Sequence, residues 1–374
     1  MIIAINCRIL SERPGGGHRY TVNLIKELSK IDQSNEYLLL LKKDYLPDFP
    51  LPDNFKKIIF PTKSKIIFDY WYIPRFSRKH NIDYFIFPKN TFSPFVRGNK
   101  IPIFHDIIYF EKDIKFREFK FFDHLHHKIM IRYAKIKSFL NFTVSEFTAD
   151  RMKKLLKIPE KKIRIFKEAV ESSFRVIDNK EMKEKLIKRL NLSFPFLFYS
   201  GSLSPRKNML NVLRAFNSIK DKIPHNLYFT AGDSWKDNDI SIYVQKHRLE
   251  SRVIKLGFLS EEELILMYNI AGIYLYPSLY EGFGLPILEA QACGCPVITS
   301  NMSSCPEIAG DAAYLVDPRS VDQIAQAILS VASDEKLRAE LIQKGFLNCQ
   351  QYSWSKMARE FLEVFEQYQG QNHV

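Results

Sequence analysis

The stretch Glu281-Gly-Phe-Gly-Leu-Pro-Ile-Leu-Glu289 sets two carboxylates around a glycine-containing turn that opens a helix. Gly272-Ile-Tyr-Leu-Tyr-Pro277 before it, apolar and rich in β-branched and aromatic residues, reads as a strand. Pro286 suits a first helical position, and Ile287 to Ala292 continue the helix. Backbone N–H groups at such a start, over Gly282, Phe283, Gly284 and Leu285, form a ready anion site, and the glycines let a phosphate come close. Glu281 is expected at the mouth of that site and Glu289 on the first turns of the helix. Two acids would repel a phosphate they touched, so they suit neutral hydroxyls, such as those of a sugar and a ribose. That combination suggests a sugar nucleotide. The plainer alternative is a pair of surface acids or helix-terminal charge partners.

Other residues could serve the same chemistry. Tyr199-Ser-Gly-Ser-Leu-Ser-Pro-Arg206-Lys207-Asn208 follows a strand and precedes a helix. Arg206 is a planar fork and Lys207 a point charge, together suited to clamp a diphosphate. As a merely solvated helix start they would sit poorly beside the positive end of the helix dipole. Gly15, Gly16 and Gly17 precede the helical stretch Tyr20–Ser29, either as a phosphate or sugar cradle or as a plain turn. His105 leaves an apolar strand, where it is either a hydrogen-bond donor to a sugar hydroxyl or a structural histidine. Asp106 either orients that ring or caps the following segment. Gly232 and Phe258 end further strands as candidate walls of a nucleobase pocket, or as simple turns. Asp123 and His127 share a helix face, but no third metal ligand is evident and no metal site is assigned.

These residues need strands to end where they stand. Strand-like runs fall at 2–6, 36–41, 57–60, 83–87, 101–104, 138–143 and 163–166, then at 195–200, 227–231, 253–256, 272–276, 296–299 and 313–316. Helical patterns alternate with them, as at Asn208–Lys220, Glu261–Asn269 and Val321–Ala332. Alternation of this kind specifies parallel α/β sheets. A charged segment near 167–192 divides the chain into two doubly wound domains of similar size, and 374 residues exceed what one core usually supports. Ligands bind beyond the carboxyl ends of such strands, so two facing domains would enclose a cleft.

Composition narrows the partners. A hydrophobic fraction of 46% with no run of membrane-span length, and no basic leader at Met1, fits a cytoplasmic globular protein. Five cysteines make no disulfide framework. The net charge of +13 implies an acidic partner: nucleic acid, anionic lipid or a phosphorylated substrate. Residues 115–137 interleave cations with aromatics, either to lie on an anionic membrane face or to pack the rings into the core.

Taken together, the glutamate pair 281/289, the Ser-Pro-Arg206-Lys207-Asn208 run, His105-Asp106 and Pro306-Glu307-Ile-Ala-Gly310-Asp311 resemble the retaining glycosyltransferases of family 4. The resemblance runs from Met1 to the helix at Tyr352-Ser353-Trp354. Two departures stand out: His18 where the family often has a second glycine before the arginine, and Lys167-Glu-Ala-Val-Glu171 in place of an asparagine-glycine run. The resemblance implies the GT-B architecture, with two facing Rossmann-like domains and an interdomain cleft. Residues 1–170 would bind the acceptor and 171–352 the nucleotide sugar, while a helix over 353–374 returns to the first domain. It implies that Glu289 holds the ribose hydroxyls, Glu281 the donor sugar, and Arg206 with Lys207 the leaving diphosphate. Gly15–Gly17 would approach the donor and His105 would contact the transferring sugar, without a metal or other cofactor. The expected reaction moves a hexose, from GDP-mannose or a similar donor, to a lipid-linked or glycan acceptor of a cell-surface polysaccharide, with no nucleic-acid partner. Such an enzyme would work in the cytoplasm or on the inner membrane face. The alternatives are a nicotinamide-dependent oxidoreductase, against which the absence of G-x-G-x-x-G after the first strand counts, and a non-catalytic sugar-nucleotide or nucleic-acid binder.

Overall fold

The structure is a computed structural model that describes residues 1–12, 15–43, 49–111, 121–230 and 239–369. Two compact units divide the chain after Glu168. The first takes the described residues up to 168 and those from Ser353 onward; the second spans Ala169–Tyr352.

In the first unit, β1 (Ile2–Asn6), β2 (Glu36–Leu41), β3 (Phe55–Ile59), β4 (Tyr84–Phe87), β5 (Asn99–Phe104), β6 (Asn141–Thr143) and β7 (Ile163–Ile165) form one sheet. Their order is β3-β2-β1-β4-β5-β6-β7. In the second, β8 (Phe196–Tyr199), β9 (Asn226–Thr230), β10 (Val253–Gly257), β11 (Ile273–Tyr276), β12 (Val297–Ser300) and β13 (Tyr314–Val316) run in the order β10-β9-β8-β11-β12-β13. Every strand pairing in both sheets is parallel. Each expected strand is present, with no end shifted by more than three residues.

The central strands are apolar on both faces because helices cover both faces. Ile273–Tyr276 and Val297–Ser300 are buried at every position, as parallel sheets require. One core gathers Leu197, Phe216, Leu227, Phe229, Leu275 and Ile298 with Ile324 and Ile328 of the Val321–Ser333 helix. The other gathers Ala4, Leu40, Phe85 and Phe104 with Ile131 and Met152. The Trp354–Gln369 helix belongs to the first unit, where Phe361 lies edge-on to Phe142 at 5.4 Å and Phe365 lies 4.8 Å from Tyr84.

The strand order fixes where chemistry can happen. Crossovers run one way from β8 toward β10 and the other way from β11 toward β13, so β8 and β11 flank the topological switch point. A crevice opens there beyond the strands' carboxyl ends. Register places Ile273 beside Leu197 and Tyr274 beside Phe198, so the loops leaving Tyr199 and Tyr276 emerge side by side.

Candidate active site

Those two loops carry the charged residues singled out in the sequence. After β8 the chain makes a short 3-10 turn, Pro205–Lys207, and Asn208 enters the Met209–Ile219 helix with φ +64°. After β11 it runs through Glu281 to the Leu285–Ala292 helix, with Pro286 in the first turn. Gly284 caps that helix at φ +114°, in the left-handed region where a Cβ is strained. The two loops are stitched together. Leu279 N donates to Arg206 O at 2.8 Å, and Asn208 Nδ2 donates to Pro277 O at 2.9 Å.

Glu281 is buried, and its carboxylate lies between two cations. Lys207 Nζ stands 2.7 Å from Oε1 and Arg206 Nη1 3.2 Å from Oε2. Lys207 Nζ, with three N–H groups, also donates to the Tyr276 hydroxyl at 2.6 Å. Ser304 Oγ holds the loop from beneath, donating to Glu281 O at 3.0 Å and Phe283 O at 2.5 Å. Ser303 Oγ accepts from Glu281 N at 3.1 Å. Burial raises the Glu281 carboxyl, but the neighbouring Lys207 and Arg206 outweigh it and hold the group below the usual range. Burial pulls Lys207 down, with Arg206 adding to the effect and Glu281 opposing it. The sequence reading kept the acid and the cations apart, with Glu281 at the mouth of the site. The structure joins them in one cluster, a buried carboxylate between two partly buried cations.

Glu289 lies on the buried face of the Leu285–Ala292 helix, and its Oε2 accepts from the Tyr268 hydroxyl at 3.2 Å. Tyr268 shares Ser200 Oγ with Tyr274, at 3.0 and 2.9 Å. Phe258, just past β10, is 92% exposed, which leaves a ring face open for a planar ligand. Gly232 lies outside the described residues.

In the first unit the glycine loop and His105 meet. A Cβ on Gly17 would stand 3.4 Å from His105 Nε2 and 2.7 Å from Ile9 Cδ1, whereas Gly15 and Gly16 have open space around them. Close approach therefore explains only Gly17. The ring of His105 is oriented by Glu168, whose Oε1 lies 3.3 Å from Nδ1. Asp106, one of the two options weighed for that part, caps the next segment instead: its Oδ1 accepts from Ile108 N at 3.2 Å. Glu168, Tyr268, Ser200 and Tyr276 went unnoticed in the sequence. Tyr268 lies on the Glu261–Ile270 helix, Tyr276 ends β11, and Ser200 and Glu168 lie just past β8 and β7, so no local pattern marks them together. His127 stacks on Tyr109 at 4.6 Å, and among the described residues no group of three or more acidic, histidine or cysteine side chains could hold a metal.

Two Rossmann-like parallel sheets give the chain the GT-B fold. Alr3699/HepE of Anabaena, solved with UDP-glucose, shares the fold at a TM-score of 0.77 and 16% identity over 98% of this chain and 100% of that one. Residues 179–347 match the model of the glycosyl transferases group 1. It is similar to O-antigen chain mannosyltransferase B of Escherichia coli, 27% identical over 93% of this chain and 95% of that protein. It is also similar to the E. coli UDP-Gal:alpha-D-GlcNAc-diphosphoundecaprenol alpha-1,3-galactosyltransferase, 31% identical over 43% of this chain and 42% of that one. The protein is a glycosyltransferase, and the oxidoreductase and non-catalytic alternatives are set aside.

Proposed function

We propose that the protein is a retaining hexosyltransferase that moves mannose from GDP-mannose, or a closely similar hexose, to a lipid-linked or oligosaccharide acceptor in cell-surface polysaccharide synthesis. The mannose reading is supported by likeness to the mannosyltransferase over nearly the whole of both chains. The lipid-linked acceptor is supported by the diphosphoundecaprenol in the galactosyltransferase's name.

The observation that carries the reading is the Arg206–Glu281–Lys207 cluster at the switch point. It sets a guanidinium and an ammonium side by side against Glu281. A planar fork beside a point charge complements the charge that grows on a departing diphosphate. In this reading the anomeric C–O bond to the diphosphate breaks while the acceptor oxygen bonds to the same face of the sugar. The acceptor's proton goes to the leaving diphosphate oxygen. Arg206 and Lys207 hold the diphosphate without a metal, Glu281 and His105 contact the sugar, and Glu289 takes the ribose hydroxyls. Phe258 stacks on the base, and the glycine loop comes close to the donor. Turnover of α-linked GDP-mannose followed by proton NMR tests the stereochemistry. An α-linked product in the presence of EDTA is expected; a β-linked product, or activity restored only by added metal, would overturn it.

Contact with an anionic membrane face is part of the proposal. The Phe121–Lys137 helix buries Met130, Ile131 and Ala134 and exposes Leu125, Ile129 and Ile136, positions that share one face at helical spacing. Its end adjoins a cavity of about 550 Å³ lined by Lys137, Lys161, Lys162 and Arg164. Among the described residues, none of these cations has a carboxylate ion-pair partner. An apolar strip with unneutralised cations suits the interface of anionic lipid. Among the described residues no helix is long and apolar enough to cross a membrane.

A further inference from the structure

Glu168 stands three residues beyond β7, and His105 directly follows β5. Only β6 separates those strands in the sheet, so two residues distant in sequence share one rim. Glu168 is 3% exposed, and its Oε1 lies 3.3 Å from His105 Nδ1. Tyr20 meets the histidine ring edge-on at 5.2 Å, and Trp354 meets Tyr20 at 5.9 Å. Three polar atoms of this cluster, Tyr20 Oη, His105 Nε2 and Trp354 Nε1, are buried without a hydrogen-bond partner. Each such atom costs about 1–3 kcal/mol, so His105 Nε2 has hydrogen-bonding capacity that the protein leaves unused. Burial, and after it the charge of Glu168, pushes the Tyr20 phenol far up, so Tyr20 stays a neutral hydroxyl.

We propose that Glu168 is a positioning residue for glycosyl transfer: it holds His105 as the Nδ1–H tautomer and so turns Nε2 into a hydrogen-bond acceptor for a substrate hydroxyl. An ionised carboxylate only accepts, so the ring nitrogen facing it carries the proton, and in the neutral ring the other nitrogen offers a lone pair. This reverses the donor role that the isolated His105-Asp106 pair suggested. It also gives a use to Lys167-Glu-Ala-Val-Glu171, the segment where the chain departs from the family pattern. The inference rests on the reading that His105 contacts substrate.

The test uses the full-length enzyme labelled with ¹⁵N-histidine, the His105 signals being assigned from the spectrum that His105→Ala loses. The wild type is expected to show a protonated Nδ1 and a bare Nε2, and Glu168→Leu is expected to shift the ring toward the Nε2–H tautomer. Transfer should slow in kcat by about 10–100-fold in Glu168→Leu, as for other ring-orienting partners, with donor KM changed by less than about threefold. The Glu168→Leu/His105→Ala double variant should be no slower than His105→Ala alone. Glu168→Gln, of equal size, covers the case in which the leucine does not fold, with a smaller loss expected. An Nε2–H ring in the wild type, or additive losses in the double variant, would overturn the proposal. Full transfer activity in His105→Ala would sink the substrate contact, while the wild-type spectrum would still decide the tautomer.

Discussion

At the residue scale, the site depends on a charge balance. Glu281 neutralises part of the field of Arg206 and Lys207, and all three gain their strength from burial. Glu281→Gln leaves two neighbouring cations without their counter-charge, and breaking a buried pair this way costs about 3–5 kcal/mol. Chemical denaturation should show a loss of that order and transfer should vanish, while a nucleoside diphosphate still binds because both cations remain. The pH dependence follows from the same shifts. Because the folded Glu281 carboxyl is lowered, its contribution is fully present above the ordinary value of about 4.3. It is lost as pH falls through the lowered folded value. Lys207 has the opposite sense: its downward shift is a cost at neutral pH that is relieved only in alkali. A denaturation series between about pH 2 and 6 should therefore be shallower in Glu281→Gln than in the wild type.

At the scale of elements, the loops leaving β8 and β11 hold the cluster through their backbones. Gly284 is the hinge of the second loop, and a side chain there is strained at φ +114° and meets Ile287 Cδ1 at 3.2 Å. Gly284→Ala should cost about 1–3 kcal/mol, read as a lower denaturation midpoint. Phe258 offers the contrast. Exposed as it is, Phe258→Ala should leave stability within about 0.5 kcal/mol. Loss of a stacked base should weaken nucleotide binding by about 1–3 kcal/mol in calorimetry. The elements themselves were legible because continuous apolar runs such as Ile273-Tyr-Leu-Tyr276 have few alternatives in a chain that alternates with amphipathic helices. Glu281, Glu289, Arg206 and Lys207 were legible from loop chemistry. Their mutual contact was not, because it depends on β8 and β11 being neighbours across the switch point. Glu168 was illegible for the same reason: nothing local tells that β7 ends on the same rim as β5.

At the scale of the whole molecule, the net charge of +13 has two readable destinations. A small part is Arg206 and Lys207, set against Glu281. A larger part surrounds exposed apolar residues of the Phe121–Lys137 helix and the cavity at its end. Replacing Ile129 and Ile136 with aspartate should leave the fold intact and lower binding to phosphatidylglycerol vesicles by at least ~10-fold in sedimentation, because it removes apolar area and adds like charge against the lipid. Wild-type binding should fall as salt rises from 0.1 to about 0.5 M, since screening shortens the reach of the cations.

The most direct measurement is thermal stabilisation by a panel of GDP-, UDP-, dTDP- and ADP-sugars, on the wild type and on Arg206→Ala. A ligand at a hundredfold excess over its dissociation constant adds about 2.7 kcal/mol to folding stability. The expected result is a clear upward shift with GDP-mannose, or with one other hexose nucleotide, that Arg206→Ala abolishes without unfolding the protein. An equal shift in both proteins, or none with any nucleotide sugar, would contradict the diphosphate cluster at the centre of this account.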